Sequence, residues 1–411
     1  MRELREPRPQ DALSLEVFSV LQLCAVNESL FPNLTTLQLW TVTGEFIPLV
    51  PLFLSSGTTE IDIEFAESSG PSEAMVALMA ATFSTLCPNL QAIRLQSLPR
   101  DPMITAAISG MLLANDRSSL RSLEVDSTLD QEAREMVHKL SSLRKLSVVM
   151  EREASLPPLL LPNLIELDTE YDGDWLRVFR RATLGKLASV TFRPEHKPVD
   201  DFLEAFERVA LAASIQDTLS QFCLHTSYSW DPNYFSLLPF AHLTHLVIEF
   251  SCDDGCSSSV DDDIITNLAQ TMPKLDTLEL GNPPCHEFPT GVTAQGLVVL
   301  AHHCSDLSSL RIHFQVTSFC IAPAIPWTPP TAGPTTLRRD CALRNLEVGE
   351  IPMPDELVLM VALTLALIFP CIDYIDYIDE NWEKVLNAIY LSRQIVIYSS
   401  KERPLCASER L

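Results

Sequence analysis

The chain has 411 residues, 46% of them hydrophobic, and sets 29 Lys and Arg against 54 Asp and Glu for a formal net charge of -25. That apolar content is ample for a core. The acidic balance, with a pI near 4.6, excludes nucleic acid as a partner, because phosphate binding needs a basic stripe, and it repels anionic membrane surfaces while attracting basic partners. The 11 cysteines are odd in number and scattered from Cys24 to Cys406, and the charged opening Met1 to Pro9 has no apolar signal region. A reducing compartment, cytosol or nucleus, is expected. The sequons at Asn27 and Asn33 then read as chance matches.

In chain order, residues 1–30 carry one apolar cluster, Leu13 to Leu23, and are expected to form an N-terminal capping segment. A frame with apolar residues at i, i+3 and i+5 then begins at Leu34/Leu37/Leu39. It returns at Leu90/Ile93/Leu95, Leu120/Leu123/Val125, Leu143/Leu146/Val148, Leu164/Leu167, Leu187/Val190/Phe192 and Leu219/Phe222/Leu224. Further copies are Leu243/Leu246/Ile248, Leu275/Leu278/Leu280, Leu307/Leu310/Ile312, Leu343/Leu346/Val348 and Ile372/Ile375/Tyr377, with a degenerate one at Thr58/Ile61/Ile63. Copies recur about every 21 to 36 residues, the leucine-rich period. The expected fold class is α/β: a leucine-rich-repeat solenoid, an irregular horseshoe with a parallel concave sheet and convex helices and loops. The array spans 31–378 as one elongated domain, since each repeat packs on its neighbours.

Between the strands, Glu73 to Phe83, Asp130 to Lys139, Asp200 to Ala213 and Asp261 to Thr271 read as helices, with Asp200 and Asp261 as N-caps. The 21- to 24-residue steps between Leu120 and Leu187 leave little room, so extended or 3₁₀ connections are expected there. Ser251 to Asp263 reads as an acidic loop, and the Pro-rich insertion 321–336 as a protruding one. The apolar run Leu357 to Phe369 is too short to span a bilayer and reads as the buried helix of the last repeat. Residues 379–411 supply a capping helix, with Trp382, Val385, Leu386 and Ile389 on one face, and a tail.

Leu86-Cys87-Pro88-Asn89-Leu90 and the unit Gly296 to Leu307, which contains Cys304, resemble the cysteine-containing repeats of F-box/leucine-rich-repeat proteins. Glu28 to Leu37 and Phe369 to Tyr377 are similar to the opening and closing repeats of basidiomycete fungal F-box-like proteins. The resemblance covers about Glu28 to Arg393. It implies protein-protein interaction and substrate recognition for an SCF-type cullin ubiquitin ligase. Met1 to Leu30 shows no leucine-proline opening of an F-box, so adaptor docking is implied only if an F-box exists outside this chain. A stand-alone scaffold or decoy is the other reading.

Partner-binding candidates follow from period-two alternation, which turns the residues between the rungs to solvent. They are Trp40, Glu60, Asp62, Glu64, Arg94, Glu124, Asp126, Glu166, Asp168, Glu170 and Arg311, beside Gln38, Gln96, Arg193, His245, Glu249, Glu279, His313, Glu347 and Asp376. Acids dominate, so the concave face either captures a basic protein segment or is the solvated strand face of an acidic protein. The triple-acid rungs Glu60/Asp62/Glu64 and Glu166/Asp168/Glu170 repel themselves and call for counter-charge. Trp40 serves as an aromatic anchor or packs under an N-terminal cap.

Cys87 and Cys304 share a repeat position, three before the first Leu, and read as small buried residues where helix turns to strand. Cys252 and Cys256 with Cys285 and His286 lack the paired short spacings of a zinc site, and Asp253, Asp254, Asp261, Asp262 and Asp263 lack the closing Glu of a calcium loop. No cofactor or metal is expected. With no GxSxG, no phosphate-cradling Gly loop and no HExxH, an enzyme is not expected either; a hydrolase built on His302-His303-Cys304 is the weakest reading.

Overall fold

The computed structural model describes residues 3–5, 20, 29–66, 71–113, 118–150, 161–171, 184–194, 215–226, 240–250, 260–281, 291–320, 341–349, 351–377 and 379–401. These fall into two compact units, one ending at Thr218 and the other beginning at Leu219. The first holds strands β1 (Glu3–Arg5), β2 (Thr36–Val42), β3 (Glu60–Phe65), β4 (Ala92–Gln96), β5 (Ser122–Thr128), β6 (Lys145–Met150), β7 (Glu166–Tyr171) and β8 (Ser189–Pro194). The second holds β9 (Gln221–Thr226), β10 (His245–Phe250), β11 (Thr277–Leu280), β12 (Ser309–Ile312), β13 (Asn345–Gly349) and β14 (Tyr374–Tyr377). Within each unit every strand pairs in parallel with the next in sequence. This is the open parallel sheet of an α/β leucine-rich-repeat fold. β1, which adds a parallel strand before the first repeat, has no counterpart in the repeat frame.

One turn recurs at the entry to the strands. The first Leu of the frame donates its amide to the carbonyl three residues back, as in Leu34 to Phe31 (2.9 Å), Leu143 to Leu140 (3.1 Å) and Leu243 to Phe240 (3.0 Å). The carbonyl of the residue after that Leu accepts two amides from the next repeat. Thr35 takes Thr59 and Glu60 (2.8 and 3.1 Å), Thr59 takes Gln91 and Ala92 (2.7 and 3.1 Å), and Gln91 takes Arg121 and Ser122 (2.7 and 3.0 Å). The same pairing runs in the second unit from Ser220, which takes Thr244 and His245 (2.8 and 3.0 Å), to Arg344, which takes Asp373 and Tyr374 (2.8 and 2.9 Å). A carbonyl has two lone pairs, and the paired amides fix the register of each repeat on its predecessor; the Thr59 and Thr244 hydroxyls also reach the Thr35 and Ser220 carbonyls (3.2 and 2.9 Å).

The rungs line up beneath this ladder. Leu37, Ile61, Ile93, Leu123, Leu146, Leu167 and Val190 occupy matched positions and are buried, as are Phe222, Leu246, Leu278, Leu310, Leu346 and Ile375 in the second unit. The degenerate repeat keeps the architecture by satisfying its hydroxyl: Thr58 is fully buried, and its Oγ1 donates to the Leu34 carbonyl (3.2 Å) and accepts from the Ser55 amide (3.1 Å).

The connecting segments include helices Glu73–Leu86, Pro102–Leu113 and Gln131–Val137 in the first unit, and Asp262–Thr271, Ala294–His303, Val358–Ile368 and Asn381–Lys401 in the second. Asp130, Asp261 and Thr293 cap three of them through side-chain bonds to the amides of Ala133, Ile264 and Gln295. In the 120–143 step two expectations compete, a helix over Asp130 to Lys139 and an extended or 3₁₀ connection from the short spacing, and the helix is what forms. The step holds the seven-residue Gln131–Val137, because two turns need only about 10 Å and Asp130 starts them without spare linker. The segments 200–213 and 321–336, and Ser251 to Ser259 of the acidic loop, lie outside the described residues.

Cys87, Met272, Cys304 and Phe369 all end helices at the same repeat position, with φ from -107° to -125° and ψ from 62° to 79°. All four are fully buried. The Cys304 Sγ lies 3.7 Å from the Met272 carbonyl, and the Cys341 Sγ 3.9 Å from the Cys304 carbonyl.

The run Leu357 to Phe369 departs from its expected role. Val361, Ala362 and Leu365 are buried, but Leu359, Met360, Leu363 and Leu367 are exposed. An all-apolar sequence says that a helix is hydrophobic and not which face is covered. The final helix seats its Trp382 fully buried, with Nε1 donating to the Ile351 carbonyl (2.8 Å) and the ring edge-on to Phe314. Val385 and Ile389 are buried beside it and Leu386 is partly covered. Asp379 accepts from the amides of Met353 (3.0 Å) and Asn381 (2.8 Å), anchoring the start of that helix.

Two substitutions test this packing. Leu123→Ala should lower stability by about 2–5 kcal/mol through the cavity it leaves. Thr58→Val, which looks favourable on the hydrophobic frame alone, should cost about 1–3 kcal/mol because the Leu34 carbonyl and Ser55 amide lose a partner. Urea denaturation reads both; a stabilised Thr58→Val variant would contradict the assignment.

Candidate functional site

The strand faces present the residues between the rungs in rows, and the structure places the predicted candidates there. In the first unit one row runs Gln38, Asp62, Arg94, Glu124 and then Ser147, Asp168 and Thr191. The neighbouring row runs Thr36, Glu60, Ala92, Ser122, Lys145, Glu166 and Ser189. Counter-charge comes from within. Arg94 lies 3.7 Å from both Asp62 and Glu124, and Lys145 lies 3.2 Å from Glu124 and 3.5 Å from Glu166. Arg193 pairs with Asp168 (2.5 Å), and Arg100 pairs with Glu170. The rung Glu166/Asp168/Glu170 is thus stitched by Lys145, Arg193 and Arg100.

The other triple-acid rung is not. Among the described residues Asp62 shares Arg94, Glu60 accepts only the Thr36 hydroxyl (3.2 Å), and Glu64 has no ion pair. Burial pushes the Asp62 carboxyl above its ordinary value; Arg94 pulls it down, and Glu124 and Glu64 push it up. Asp126 accepts the Ser97 amide (2.9 Å).

Trp40 sits at the edge of this acidic patch and is 47% exposed. Its position follows from a bulge: Leu39 pairs with Ile63 and Val42 with Phe65, so β2 spends one more residue than β3 over that stretch. The extra residue puts Thr41 at φ 57°, left-handed and costly for a β-branched side chain, and both Trp40 and Thr41 end outward. Ser97, after β4, has φ 58°. Most of the N-terminal segment under which Trp40 was alternatively expected to pack, 6–19 and 21–28, lies outside the described residues.

In the second unit the matched row is Cys223, Val247, Glu279, Arg311, Glu347 and Asp376. Arg311 is a hub with a side chain only 17% exposed, 3.5 Å from Glu249, 3.5 Å from Glu279 and 2.9 Å from Glu347. The far side of Glu249 meets His225 Nδ1 at 2.6 Å. His245 Nε2 lies 3.7 Å from Asp276. Glu347 is raised above its ordinary 4.5, chiefly by burial; Arg311 lowers it, while Asp376, Glu279 and Glu249 raise it.

Lys145 and His225 were missed in the sequence although the frame places both on the strand face, two residues after Leu143 and six after Leu219. Arg100 carries no such signal, because it follows β4 and meets a glutamate 70 residues away.

The acids of the loop before helix Asp262–Thr271 have structural work where they are described. Asp262 Oδ1 accepts the amides of Thr293 (2.8 Å) and Gly296 (3.1 Å), tying one repeat helix to the start of the next. A Cβ on Gly296 would meet that oxygen at 2.4 Å, so any side chain there would push the Asp262 carboxylate off these amides. The set Cys252, Cys256, Cys285 and His286 lies outside the described residues, and among the described residues no cluster could hold a metal. The Cys304 thiol is pushed up to about 12 by burial, and burial pushes His303 down. A thiol so placed stays protonated and is no nucleophile. Among the described residues no helix is long and apolar enough to cross a membrane.

The raised carboxyl fixes a sign. A group that holds its proton more tightly folded than unfolded contributes stability at low pH and loses it as pH rises from 4.5 through its own raised value. Arg311→Met leaves Glu347 without its cation and should cost about 1–3 kcal/mol near pH 7, with the gap to the parent narrowing as pH falls and Glu347 protonates. Urea melts across pH check this; a gap independent of pH would mean that Arg311 acts by packing alone.

No known family matches the chain, and no curated protein matches it in sequence. Among solved structures it is similar to a chain of the crystal structure of the Rad7 and Elc1 complex in yeast, at 16% identity and a TM-score of 0.38, over 64% of this chain and 74% of that one. A likeness so distant assigns neither activity nor partner.

Proposed function

We propose that the chain is a protein-binding leucine-rich-repeat module whose strand face captures a basic segment of a protein target, in a reducing compartment such as cytosol or nucleus. The observation that carries this is the acidic face of β3: Glu64 lies across from the exposed Trp40 and Glu60 opposite Thr36, and neither glutamate has a cationic partner among the described residues. Among the described residues the acids Glu124, Glu166, Asp168 and Glu170 of the later strands are laced by Arg or Lys. A Lys- or Arg-bearing segment supplies the missing charge, and Trp40 supplies an apolar face for its stem or a cation–π contact. The gain from such contacts is chiefly in association rate and selectivity. No step is chemical: the target docks across adjacent strands and leaves unchanged.

The finer reading, substrate recognition for an SCF-type ubiquitin ligase, rests on the resemblance of the Cys87 and Cys304 repeats to F-box/leucine-rich-repeat proteins. It requires that the protein be retained by a cullin adaptor in a pull-down. Failure of retention, with target binding intact, makes it a stand-alone scaffold or decoy.

A Lys/Arg-rich peptide is expected to bind and to weaken as salt rises from about 50 to about 300 mM. Glu60→Lys with Glu64→Lys should lower affinity by about tenfold, or ~1.4 kcal/mol, and Trp40→Ala by about 1–2 kcal/mol. Fluorescence anisotropy reads all three. Unchanged affinity in the charge-reversed protein would remove the patch as the binding site.

A further inference from the structure

The helix Val358–Ile368 has a second face that the repeat does not use. Leu359 is 63% exposed, Met360 48%, Leu363 45% and Leu367 80%. Their spacing of i, i+1, i+4 and i+8 gathers them on an arc of about 100°, opposite the buried Val361, Ala362 and Leu365. The result is a continuous apolar stripe about 12 Å long. The helices Glu73–Leu86 and Pro102–Leu113 expose large apolar residues only as Leu78, or as Met103 and Leu113, which is normal for a surface. Four in register on one short helix is not.

The surroundings of the stripe are acidic. Asp355 and Glu356 precede its first turn and are exposed. Lys384 reaches Asp355 at 2.7 Å, while Glu356, Glu380 and Glu383 have no ion pair among the described residues; Asp379 and Asn381 bond the Met353 backbone, which sets the start of the last helix beside Asp355. A second copy of this chain would set -25 against -25 and bring like acids together, so the charge disfavours self-association. The same charge disfavours a cell membrane, whose cytoplasmic leaflet is anionic. An apolar stripe with an acidic border is complementary to an amphipathic helix whose own stripe is flanked by Lys or Arg.

We propose that the exposed face of Val358–Ile368 is a docking site for a basic amphipathic helix of a partner protein. The site is separate from the strand-face patch and does not depend on it. Leucines fill the space between Leu359, Leu363 and Leu367, and flanking cations meet Glu356 and Glu380.

The test uses the full chain and a synthetic helical peptide of leucine and lysine, with a matched peptide in which every lysine is glutamate. The lysine peptide should bind and the glutamate peptide should not. Leu363→Ser with Leu367→Ser should weaken binding by about tenfold with an unchanged thermal melt, since both side chains face water. Glu60→Lys with Glu64→Lys should leave it within about twofold, which separates this site from the strand face. On peptide addition, hydrogen exchange should slow across Val358–Ile368. Peptide affinity that survives the serine variant, or that falls with the strand-face variant, overturns the proposal, as does exchange unaltered over this helix. So does a dimer that the serine variant dissolves, which would make the occupant a second copy, or capture by phosphatidylcholine vesicles through the same leucines.

Discussion

Each repeat in both units is held to the one before it by a single carbonyl that accepts two amides, and the rest of the structure depends on that pairing. The amides of Gln91 and Ala92 both close on Thr59, and those of Arg121 and Ser122 both close on Gln91. Once they do, the strands can run only parallel and in step, with Ile61, Ile93 and Leu123 side by side beneath them. Each such side chain contributes about 1.5–3 kcal/mol by leaving water, but only in this register does a neighbour sit where it must to cover it. A repeat cannot bury its own face. The backbone ladder sets the alignment, and the rungs supply the energy.

The same register forces charge onto charge. Residues between the rungs form rows at strand spacing, close enough for Arg94 to serve both Asp62 and Glu124, and for Arg311 to serve three glutamates. These pairs are partly exposed, and such pairs add little stability; their effect is to cancel a repulsion that the rows themselves create. At the Thr41 bulge Trp40 turns outward across from Glu64, which has no ion pair among the described residues. On the helix side a different imbalance, apolar and not ionic, marks the Val358–Ile368 face.

The repeat frame was legible in the sequence because the rungs need nothing more than apolar residues at i, i+3 and i+5. Asp261 was legible as a cap because a short acceptor before an amphipathic run has one evident use, whereas Asp130 was legible only as an acid at the start of a helix. Even the degenerate Thr58 repeat could be placed, although its compensating hydrogen bonds could not. What stayed hidden depends on distances that the frame does not carry. The Thr41 bulge is one residue of backbone, without a signature glycine. Arg100 and Glu170 meet across 70 residues. Asp262 looked like one acid among several, and only its contact with Gly296 reveals that it joins two repeats. Leu357 to Phe369 gave its helix away but not its exposed side, since every face of that helix reads as apolar.

Native-state hydrogen exchange on the first unit tests the central constraint most directly, because it reads the paired amides one by one. The account predicts that Gln91 and Ala92, Arg121 and Ser122, and Arg144 and Lys145 exchange slowly and lose protection together as denaturant is added, tracking the strands that they align. Should these amides exchange as fast as exposed loop amides while the adjoining strands stay protected, the repeats would be held by side-chain packing alone, and the shared carbonyl would not be what sets their register.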